Sequence, residues 1–456
     1  MVINIPSQVN RAIEILRSGG HSAYVVGGAV RNAVMGIPVN DWDITTSALP
    51  AETSELFRGY RTIETGIKHG TVTVIIDGMS LEITTFRIES GYSDNRHPDR
   101  VDFTDKIEDD LSRRDFTVNA IAYSPQNGFV DPFGGCGDTE KKIIRCVGEA
   151  DKRFGEDALR ILRALRFASV LGFGIDDETA ESIRKNYRLL KNISVERIFS
   201  ELSKLLCGKD AARILRDFKE VIFFVLPELA PTDGCAQNHE RHIFDVWGHT
   251  VKAVENIEPT PALRFAMLFH DSGKPHCKTT DENGIDHFYS HGKISRKIAE
   301  KAMLRLKTSN KFREHVCSLV EYHDFLPDKI SKKTYKKYIT LLGLDIVKEL
   351  FLVRAADVSA QNPKFIPESL AENKIGLEIL GEIEKEDTCF KISDLAVNGK
   401  ELAEAGIPPS PEMGKILEIL LDMVMDGKIQ NTKEALIAQA IGLKGKERGS
   451  NENNNS

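Results

Sequence analysis

The most informative segment of this chain is Gly27-Gly28-Ala29-Val30-Arg31, which is followed in an apolar run by Asp41-Trp42-Asp43. Consecutive glycines let the backbone come close to a bound group, and their N–H groups can face phosphate oxygens. Because a strand projects alternate residues to one face, Asp41 and Asp43 are predicted to point the same way. Two neighbouring carboxylates repel each other and persist where a divalent cation neutralises them. The pattern indicates a site for a metal-bound triphosphate and for nucleotidyl transfer.

A third carboxylate, Glu82, stands in another predicted strand, where it could complete a triad with Asp41 and Asp43. Two Mg²⁺ ions held by such a triad can activate an attacking hydroxyl and stabilise the leaving pyrophosphate. A lone Asp-x-Asp is most often a surface turn, but its place shortly after Gly-Gly-x-x-Arg disfavours that interpretation. For Glu82 alone, a solvated strand face is an equally good explanation.

Chain length, net charge and cysteine content limit the classes of protein to which this chain can belong. The 456 residues exceed what one core supports, so several domains are expected. The net charge of −7 shows no overall preference for nucleic acid, so such a surface would have to be local. The seven cysteines form no C-x-x-C pair, which favours reduced thiols and a cytoplasmic setting. We expect neither a signal peptide nor a membrane span.

Local patterns predict an α+β head followed by a long helical body. Residues 23–26, 43–45, 71–76 and 81–86 are rich in β-branched side chains and predict strands, and residues 9–16 predict a helix. Asp77-Gly78 predicts a hairpin turn. Helical patterns dominate from about residue 154 to 440. The polar segment 90–100 predicts a mobile loop, and 444–456 is expected to be disordered.

Arginines form the next dense cluster, in Arg113-Arg114-Asp115-Phe116-Thr117-Val118-Asn119-Ala120. The planar guanidinium fork suits phosphate oxygens, so Arg114 is a candidate contact for a nucleotide. Asp115 could orient one of these arginines, and Asn119 could contact a ribose. The alternative is an ordinary basic start of a helix.

Residues 156–166 predict a helix that carries further charged candidates. Asp157 and Arg160 would be i, i+3 neighbours on one face, where acceptor and donor groups together can match the pairing edge of a base. Such a pair could select C and A without a nucleic-acid template. Arg163 and Arg166 continue the stripe toward a triphosphate or an RNA backbone. The alternative is a salt-bridged surface helix, which is the usual reason for this spacing.

These motifs, taken in order, resemble one family. The segments are residues 26–31, 41–48, 113–120, 131–135 and 156–166, with a further match in 395–400 and 411–431. The order is similar to that of class II tRNA nucleotidyltransferases, the CCA-adding enzymes, which are related to bacterial poly(A) polymerases and to the polymerase-β superfamily. The resemblance implies a polymerase-β-like head (1–145), a helical neck (146–210), a helical body with an HD-type domain (211–385) and a tRNA-binding helical tail (386–443).

The resemblance also implies roles for individual residues. Asp41 and Asp43 would bind Mg²⁺, while Gly28 and Arg31 would contact the triphosphate and Arg114 the incoming nucleotide. The candidate nucleotide-selecting helix would contribute Asp157, Arg160, Arg163 and Arg166. The implied partners are CTP, ATP and the tRNA acceptor arm. The loop 90–100 resembles the one linked to switching from C to A addition. One departure is Asn32, where the family usually has an aspartate that could orient Arg31.

A second candidate site follows the apolar run 262–269. His270-Asp271-Ser272-Gly273-Lys274, with His249 upstream and Asp357 downstream, resembles the HD phosphohydrolase superfamily. The resemblance implies a second divalent metal on His249, His270, Asp271 and Asp357, and phosphatase or cyclic-phosphodiesterase activity. His291 and His323 lie where binuclear HD domains have further ligands. Imidazole and carboxylate donors suit Mn, Fe, Ni or Mg better than structural zinc.

The leading hypothesis is template-independent addition of CCA to tRNA by a monomer or homodimer. The nearest alternative is a bacterial poly(A) polymerase or an A-adding enzyme, which shares nearly all of these motifs. A second alternative is a metal-dependent HD phosphohydrolase whose head only binds nucleotide or RNA, and a third is a protein that only binds RNA.

Overall fold

The structure is a computed structural model that describes residues 3–67, 70–91, 99–324, 331–385 and 391–452, with side chains up to residue 443. The chain divides into two compact units. The first comprises Met1–Pro231, Pro259–Phe265 and Lys301–Ser309, and the second comprises Thr232–Glu258, Ala266–Glu300 and Asn310–Ser456.

A seven-stranded mixed sheet forms the centre of the first unit. Its strands are β1 (Ala23–Val26), β2 (Asp43–Thr46), β3 (Arg61–Ile63), β4 (Thr71–Ile76), β5 (Met79–Thr85), β8 (Ala122–Ser124) and β9 (Gly128–Val130), in the order β3-β4-β5-β2-β1-β8-β9. β2 and β5 run parallel, and the other neighbours in this sheet are antiparallel. The predicted α+β head is confirmed.

The strand positions follow from the sequence pattern. In β4 the side chains of Val72, Val74 and Ile76 are buried and alternate with half-buried ones, as a strand with one face on the core requires. At the end of β4, Asp77 and Gly78 have φ angles of 46° and 83°. These left-handed values belong to a tight hairpin turn, so the predicted β4–β5 hairpin is confirmed.

The remaining strands are short. β6 (Arg87–Ser90) pairs with β7 (Arg100–Phe103), β10 (Ile143–Ile144) with β11 (Gly174–Ile175), and β12 (Thr279–Thr280) with β13 (Asp286–His287). β6 and β7 flank the loop predicted to be mobile, whose residues 92–98 lie outside the described residues.

Eleven helices precede residue 231 among the described residues. They are α1 (Ser7–Ser18), α2 (Gly28–Val34), α3 (Pro50–Leu56), α4 (Ile107–Ser112), α5 (Gly135–Lys141), α6 (Ala150–Glu156), α7 (Leu159–Leu171), α8 (Asp177–Asn186), α9 (Val195–Leu206), α10 (Ala211–Asp217) and α11 (Lys219–Val225).

The segment 156–166 is not one helix, and the prediction is wrong at this point. α6 ends at Glu156, Asp157 has an extended backbone (φ −134°, ψ 104°), and α7 begins at Leu159. The Asp157 Oδ1 atom accepts a hydrogen bond from the Leu159 N–H at 3.0 Å. Aspartate competes with the helical backbone in this way, which favours a helix boundary over a helix interior.

The chain beyond residue 245 is largely helical. Its helices are α12 (Val246–Asn256), α13 (Pro261–Phe269), α14 (His291–Arg305), α15 (Asn310–Glu321), α16 (Lys332–Leu342), α17 (Leu344–Val358), α18 (Ile366–Lys385), α19 (Gly399–Glu404), α20 (Pro411–Met425) and α21 (Lys433–Glu452). Within the described part of the chain, no helix combines the length and apolar character that crossing a bilayer requires.

The last two helices share a small apolar core of their own. Leu420 and Leu421 of α20 belong to one cluster of buried residues with Leu436 and Ala440 of α21. α21 continues to Glu452, which differs from the disorder expected for 444–456. Lysine, glutamate and arginine are good helix formers, so a lack of apolar anchors does not by itself prevent a helix from continuing.

Candidate functional site

A cavity of about 230 Å³ lies beside the glycine turn of the first unit. Gly28, Asp41 and Asp43 line it together. Gly27 turns the chain out of β1 with a φ of 73°, a left-handed value that favours glycine. A Cβ atom at Gly27 would also lie 3.0 Å from NH1 of Arg114. The structure therefore brings the predicted carboxylate pair to the predicted phosphate-binding turn.

The three head carboxylates influence one another electrostatically. Asp43 begins β2, and Glu82 is its partner in the parallel register with β5. Burial raises the pKa of Asp43 to about 6, with further repulsion from Asp41 and Glu82. Hard carboxylate oxygens fit a cation such as Mg²⁺. Among the described residues, groups of three or more donors within 4.8 Å of one another occur only in the second unit, so Glu82 as third ligand stays a prediction.

Arg31 is buried in α2, and two side-chain amides hold its guanidinium. NH1 donates to Oδ1 of Asn119 at 2.5 Å, while Nε and NH2 donate to Oδ1 of Asn32 at 3.2 and 2.9 Å. Burial lowers the pKa of Arg31 to about 10, which leaves the group charged at neutral pH. Asn32 thus orients Arg31 through hydrogen bonds, without the charge that an aspartate would add.

Arg114 approaches the turn from the other side, and Asp110 restrains it. NH2 of Arg114 lies 3.4 Å from Oδ2 of Asp110, and NH2 of Arg113 lies 2.7 Å from Oδ1. Burial would raise the pKa of Asp110, but these two guanidinium groups outweigh burial and lower it. Asp110 was not predicted as a site residue, although its position four residues before Arg114 is a usable signal for an ion pair.

Asp157 and Arg160 do not form the predicted neighbouring pair on one helix face, because Asp157 precedes α7. Oδ2 of Asp157 accepts a hydrogen bond from NH2 of Arg197 at 2.9 Å. Arg160 is buried and donates to Oε2 of Glu156 at 2.7 Å and to two backbone carbonyl groups. Arg197 was missed, because it lies 40 residues away from Asp157 in the chain.

Three arginine side chains pack near the ring of Phe167. The Cζ atoms of Arg166, Arg31 and Arg163 lie 3.9, 5.3 and 5.4 Å from its centroid. Nε and NH2 of Arg163 also donate to Oδ2 of Asp115, at 2.8 and 2.6 Å. Asp115 was predicted to orient an arginine of its own cluster, but it pairs with Arg163 instead, while Arg113 and Arg114 pair with Asp110. Nε of Arg166 also lies 2.6 Å from Oε2 of Glu201, so two of the three guanidinium groups pair with acids, whereas amides hold Arg31. Planar guanidinium groups of this kind suit the oxygens of a triphosphate.

Replacing Asp115 tests this buried ion pair. Burial by itself would raise the pKa of Asp115, but the Arg163 guanidinium lowers it to about 2. We expect Asp115→Asn to reduce the free energy of unfolding by about 3 kcal/mol, because Arg163 loses its charged partner. Urea unfolding at pH 7 measures the change.

The pH dependence gives a second readout for Asp115. Because the folded pKa is depressed, the stabilisation is present above the unfolded pKa of about 3.9 and is lost as the pH falls toward about 2. The difference between wild type and Asp115→Asn should shrink over that range. Asp77→Asn, which removes an exposed pair with Arg11, is the control and should cost less than about 1 kcal/mol. Equal effects of the two substitutions would contradict the prediction.

All four predicted ligands of the second metal converge in the second unit. His249 lies in α12, His270 and Asp271 directly follow α13, and Asp357 lies near the end of α17. One donor atom from each lies within 4.8 Å of the others. Nε2 of His249 is 2.7 Å from Oδ1 of Asp357 and 3.3 Å from Nε2 of His270. The buried carboxylates outweigh desolvation and raise the pKa of His270 to about 10, so the cluster attracts positive charge.

Asp271 also belongs to a second group, with His291 and His323. Its Oδ1 atom lies 3.3 and 3.7 Å from their Nε2 atoms, while Oδ2 lies 3.3 Å from Nε2 of His270. Both carboxylate oxygens are buried, and Oδ2 also pairs with Nζ of Lys274 at 2.7 Å. A carboxylate that turns one oxygen toward each group fits a bridge between two cations.

Contacts with backbone carbonyl groups orient the rings of three histidines for metal binding. His270, His291 and His323 each place Nδ1 near the backbone carbonyl three residues earlier, at 2.7, 2.9 and 2.8 Å. If Nδ1 donates there, Nε2 keeps its lone pair for a metal. Gly273 makes the approach possible, because a Cβ atom at that position would lie 2.5 Å from the carbonyl oxygen of His291.

A cavity of about 430 Å³ opens above this cluster. Its lining includes Asp271, Lys274, His291, His323, Asp357, Arg241 and Tyr289. Nζ of Lys274 lies 2.7 Å from Oδ2 of Asp271 and donates to Oε1 of Gln237 at 2.7 Å. The metal-ligand groups and two cationic side chains therefore share one accessible space.

Three protein families together match most of the chain. Residues 23–145 match the family described as "Poly A polymerase head domain", and residues 172–231 match "Probable RNA and SrmB- binding site of polymerase A". Residues 278–440 match "tRNA nucleotidyltransferase domain 2 putative".

Similar proteins are known over nearly the full length. The CCA-adding enzyme of Lactobacillus delbrueckii subsp. bulgaricus is 34% identical over 447 residues, covering 95% of this chain and 97% of the relative. That of Streptococcus thermophilus is 32% identical over 447 residues, covering 96% and 98%. The crystal structure of the Bacillus stearothermophilus CCA-adding enzyme in complex with CTP has a TM-score of 0.75 at 31% identity, covering 97% and 98%. The Thermotoga maritima CCA-adding enzyme complexed with tRNA, at 20% identity and a TM-score of 0.59, shares the fold.

Proposed function

Because the chain belongs to the family of CCA-adding enzymes, we propose that it adds the 3′-terminal CCA to tRNA from CTP and ATP without a nucleic-acid template. The observation that carries the proposal for this chain is the cavity where Gly28, Asp41 and Asp43 meet. Solved structures of CCA-adding enzymes in complex with CTP, ATP and tRNA support the choice of substrates.

In the proposed reaction, the 3′-hydroxyl oxygen of tRNA forms a bond to the α-phosphorus of the nucleotide. The bond from that phosphorus to the oxygen bridging to the β-phosphate breaks, and pyrophosphate leaves. Asp41 and Asp43 would hold Mg²⁺, with Glu82 as a candidate third ligand. When bound, the metal offsets the charge that builds up on the reacting phosphates.

The arginines would bind the nucleotide around this centre. Arg31, fixed by Asn32 and Asn119, and Arg114 face the glycine turn and would contact the triphosphate. The charges of Arg163 and Arg166 extend this region. We propose that Asp157, held by Arg197, and Arg160 read the base, and that Arg160 is released from Glu156 when a nucleotide binds.

The decisive experiment is incorporation of labelled CTP and ATP, separately and together, into tRNA trimmed to different 3′ ends. The proposal predicts stepwise addition of C, C and A, after which addition stops. Long A tails on arbitrary RNA would instead identify a poly(A) polymerase, and addition of A alone to tRNA ending in CC would identify an A-adding enzyme.

Replacing Arg197 tests how Asp157 is positioned. We expect Arg197→Ala to lower kcat/KM for nucleotide incorporation about tenfold, the effect of losing one charge-assisted hydrogen bond. Discrimination between CTP and UTP should fall as well, because the carboxylate is no longer held at 2.9 Å from a guanidinium. Steady-state kinetics with the two nucleotides measure both effects.

Two variants act as controls for Arg197. Arg197→Lys retains a charge and should recover part of the selectivity, whereas Arg184→Ala removes an exposed arginine that pairs with Glu220 and should change neither parameter. An unchanged ratio of CTP to UTP incorporation in Arg197→Ala would show that Arg197 only stabilises the fold.

We also propose a second activity, a divalent-metal phosphohydrolase in the second unit. Its support is the pair of ligand groups that share Asp271, beneath a cavity of about 430 Å³. Imidazole and carboxylate donors suit Mn, Fe, Ni or Mg. Release of phosphate by the metal-loaded full chain, and its loss in His270→Ala while nucleotide incorporation persists, tests this activity.

The domain boundaries, the tRNA-binding region, the cellular location and the oligomeric state are also proposals. We divide the chain into head (1–145), neck (146–210), body (211–385) and tail (386–443), and we assign the acceptor arm of tRNA to the helical parts through phosphate contacts and shape. The six cysteines among the described residues are unpaired, which supports a cytoplasmic setting. The enzyme is proposed to act as a monomer or homodimer.

A further inference from the structure

The cavity of the second unit has an exposed aromatic ring at its edge. Tyr289 lines the cavity together with Asp271 and His291, and the residue is 73% exposed. The ring of His287 stacks on it, with centroids 5.5 Å apart and planes 8° apart. One face of the tyrosine is therefore supported by another ring, which leaves the phenol well placed to stack against a flat group.

Tyr289 is tied to the metal-ligand cluster by a tight turn. The N–H of His291 donates to the carbonyl oxygen of Phe288 at 3.2 Å, which closes a four-residue turn around Tyr289 and Ser290. Ser290, the third residue of the turn, has a φ of 61°, a left-handed value that residues other than glycine rarely adopt. His291, one of the candidate ligands, is also the first residue of α14. The ring and the cluster are thus held at a short, fixed separation along the chain.

Two cationic side chains line the same cavity and could contact a phosphate. Lys274 lies against the bridging carboxylate, and Arg241 lines the opening. The guanidinium of Arg241 sits 4.9 Å from the centroid of the Phe365 ring and donates to Oγ of Ser369 at 3.3 Å, so its position is restrained. The cationic side chains could contact a charged group of a ligand, and Tyr289 could stack on a flat ring. A nucleotide contains both a phosphate and a flat ring.

We propose that Tyr289 is the nucleobase platform of the phosphohydrolase site in the second unit. The base stacks on Tyr289 while the phosphate lies at the cluster that contains Asp271 and His291. This inference rests on the phosphohydrolase activity proposed above. In that reaction a water oxygen bonds to phosphorus, the bond from phosphorus to the ester oxygen breaks, and the leaving oxygen takes up a proton from the water.

Stacking on an aromatic side chain is sequence-tolerant and strengthens nucleotide binding by about tenfold to a hundredfold. The ester could belong to a free mononucleotide or to the 3′ end of an RNA, since both present the same base and phosphate. The experiment therefore compares 3′-AMP, an RNA oligonucleotide with a 3′-phosphate, and glycerol 2-phosphate, which has no ring.

The test uses the full chain loaded with Mn²⁺ and the variants Tyr289→Ala and Tyr289→Phe. We expect Tyr289→Ala to lower kcat/KM for the nucleotide substrates at least tenfold and to leave glycerol 2-phosphate unchanged. Tyr289→Phe, which keeps the ring, should retain nearly all activity. Preference for 3′-AMP or for the RNA end identifies the source of the ester, and either preference supports the platform.

Two further measurements, the metal content and the affinity for a nucleotide analogue, distinguish a loss of base stacking from a loss of metal. The Mn²⁺ content of Tyr289→Ala should equal that of wild type, and its affinity for adenosine 3′-phosphorothioate in equilibrium dialysis should fall at least tenfold. Equal losses with glycerol 2-phosphate, or unchanged affinity for the phosphorothioate, would overturn the platform. If wild type hydrolyses none of the esters, the phosphohydrolase proposal fails, and the dialysis result then decides the role of Tyr289 by itself.

Discussion

Asp43→Asn is expected to reduce incorporation of CTP and ATP into tRNA by about a thousandfold. The substitution keeps the size of the side chain but removes one of the two carboxylate charges that face the cavity beside Gly28. A metal ion contributes several kcal/mol of charge stabilisation to phosphoryl transfer, and that contribution requires anionic ligands. Single-turnover incorporation at saturating Mg²⁺ measures the chemical step.

Three further variants sharpen this test. Asp41→Asn should behave like Asp43→Asn, because both carboxylates line the same cavity. Glu82→Gln separates the two interpretations of Glu82: a metal ligand gives a loss of about a hundredfold or more, and a solvated strand face gives almost none. Asp77→Asn, in the exposed β4–β5 turn, is the matched control and should retain full activity. Retained incorporation by Asp43→Asn would mean that the head does not transfer nucleotides.

Asp271→Asn is expected to remove two bound metal ions at once and to abolish phosphate release by the second unit. The reason is geometric, because the two oxygens of this one carboxylate face the two ligand groups. Plasma mass spectrometry of the Mn²⁺-loaded protein measures the metal content per chain. Nucleotide incorporation should stay within about twofold of wild type, since no residue of the head is altered.

The variant His291→Ala tests whether the second unit binds two ions bridged by Asp271 or a single ion. It should reduce the metal content from two to one, because His291 belongs only to the second of the two groups. Asp281→Asn, at an exposed position of the same unit, is the control and should retain both ions. A single ion in wild type, retained in His291→Ala, would contradict the bridge while leaving a mononuclear site in place.

Much of the head could be predicted from local sequence. β1 has the predicted bounds, and β2, β4 and β5 lie within one or two residues of theirs, because β-branched runs and an Asp-Gly turn are local signals. The single helix expected over 156–166 is absent for a local reason too, since Asp157 has an extended backbone and its side chain accepts a hydrogen bond from the Leu159 N–H. The charge pattern indicated the right residues, but it could not say which acid each arginine would meet.

Local sequence was enough to predict the head architecture and the place of Asp41 and Asp43 beside the glycine turn, and the resemblance to known families was enough to name the four candidate HD ligands. Three contacts became visible only in the folded chain: Arg197 holds Asp157, Asn32 and Asn119 share Arg31, and Asp271 faces both ligand groups. The physical reason is the range of the interactions. Strand pattern and turn chemistry act within a few residues, whereas these contacts mostly join distant segments, whose meeting depends on how helices pack and where a glycine such as Gly273 allows close approach.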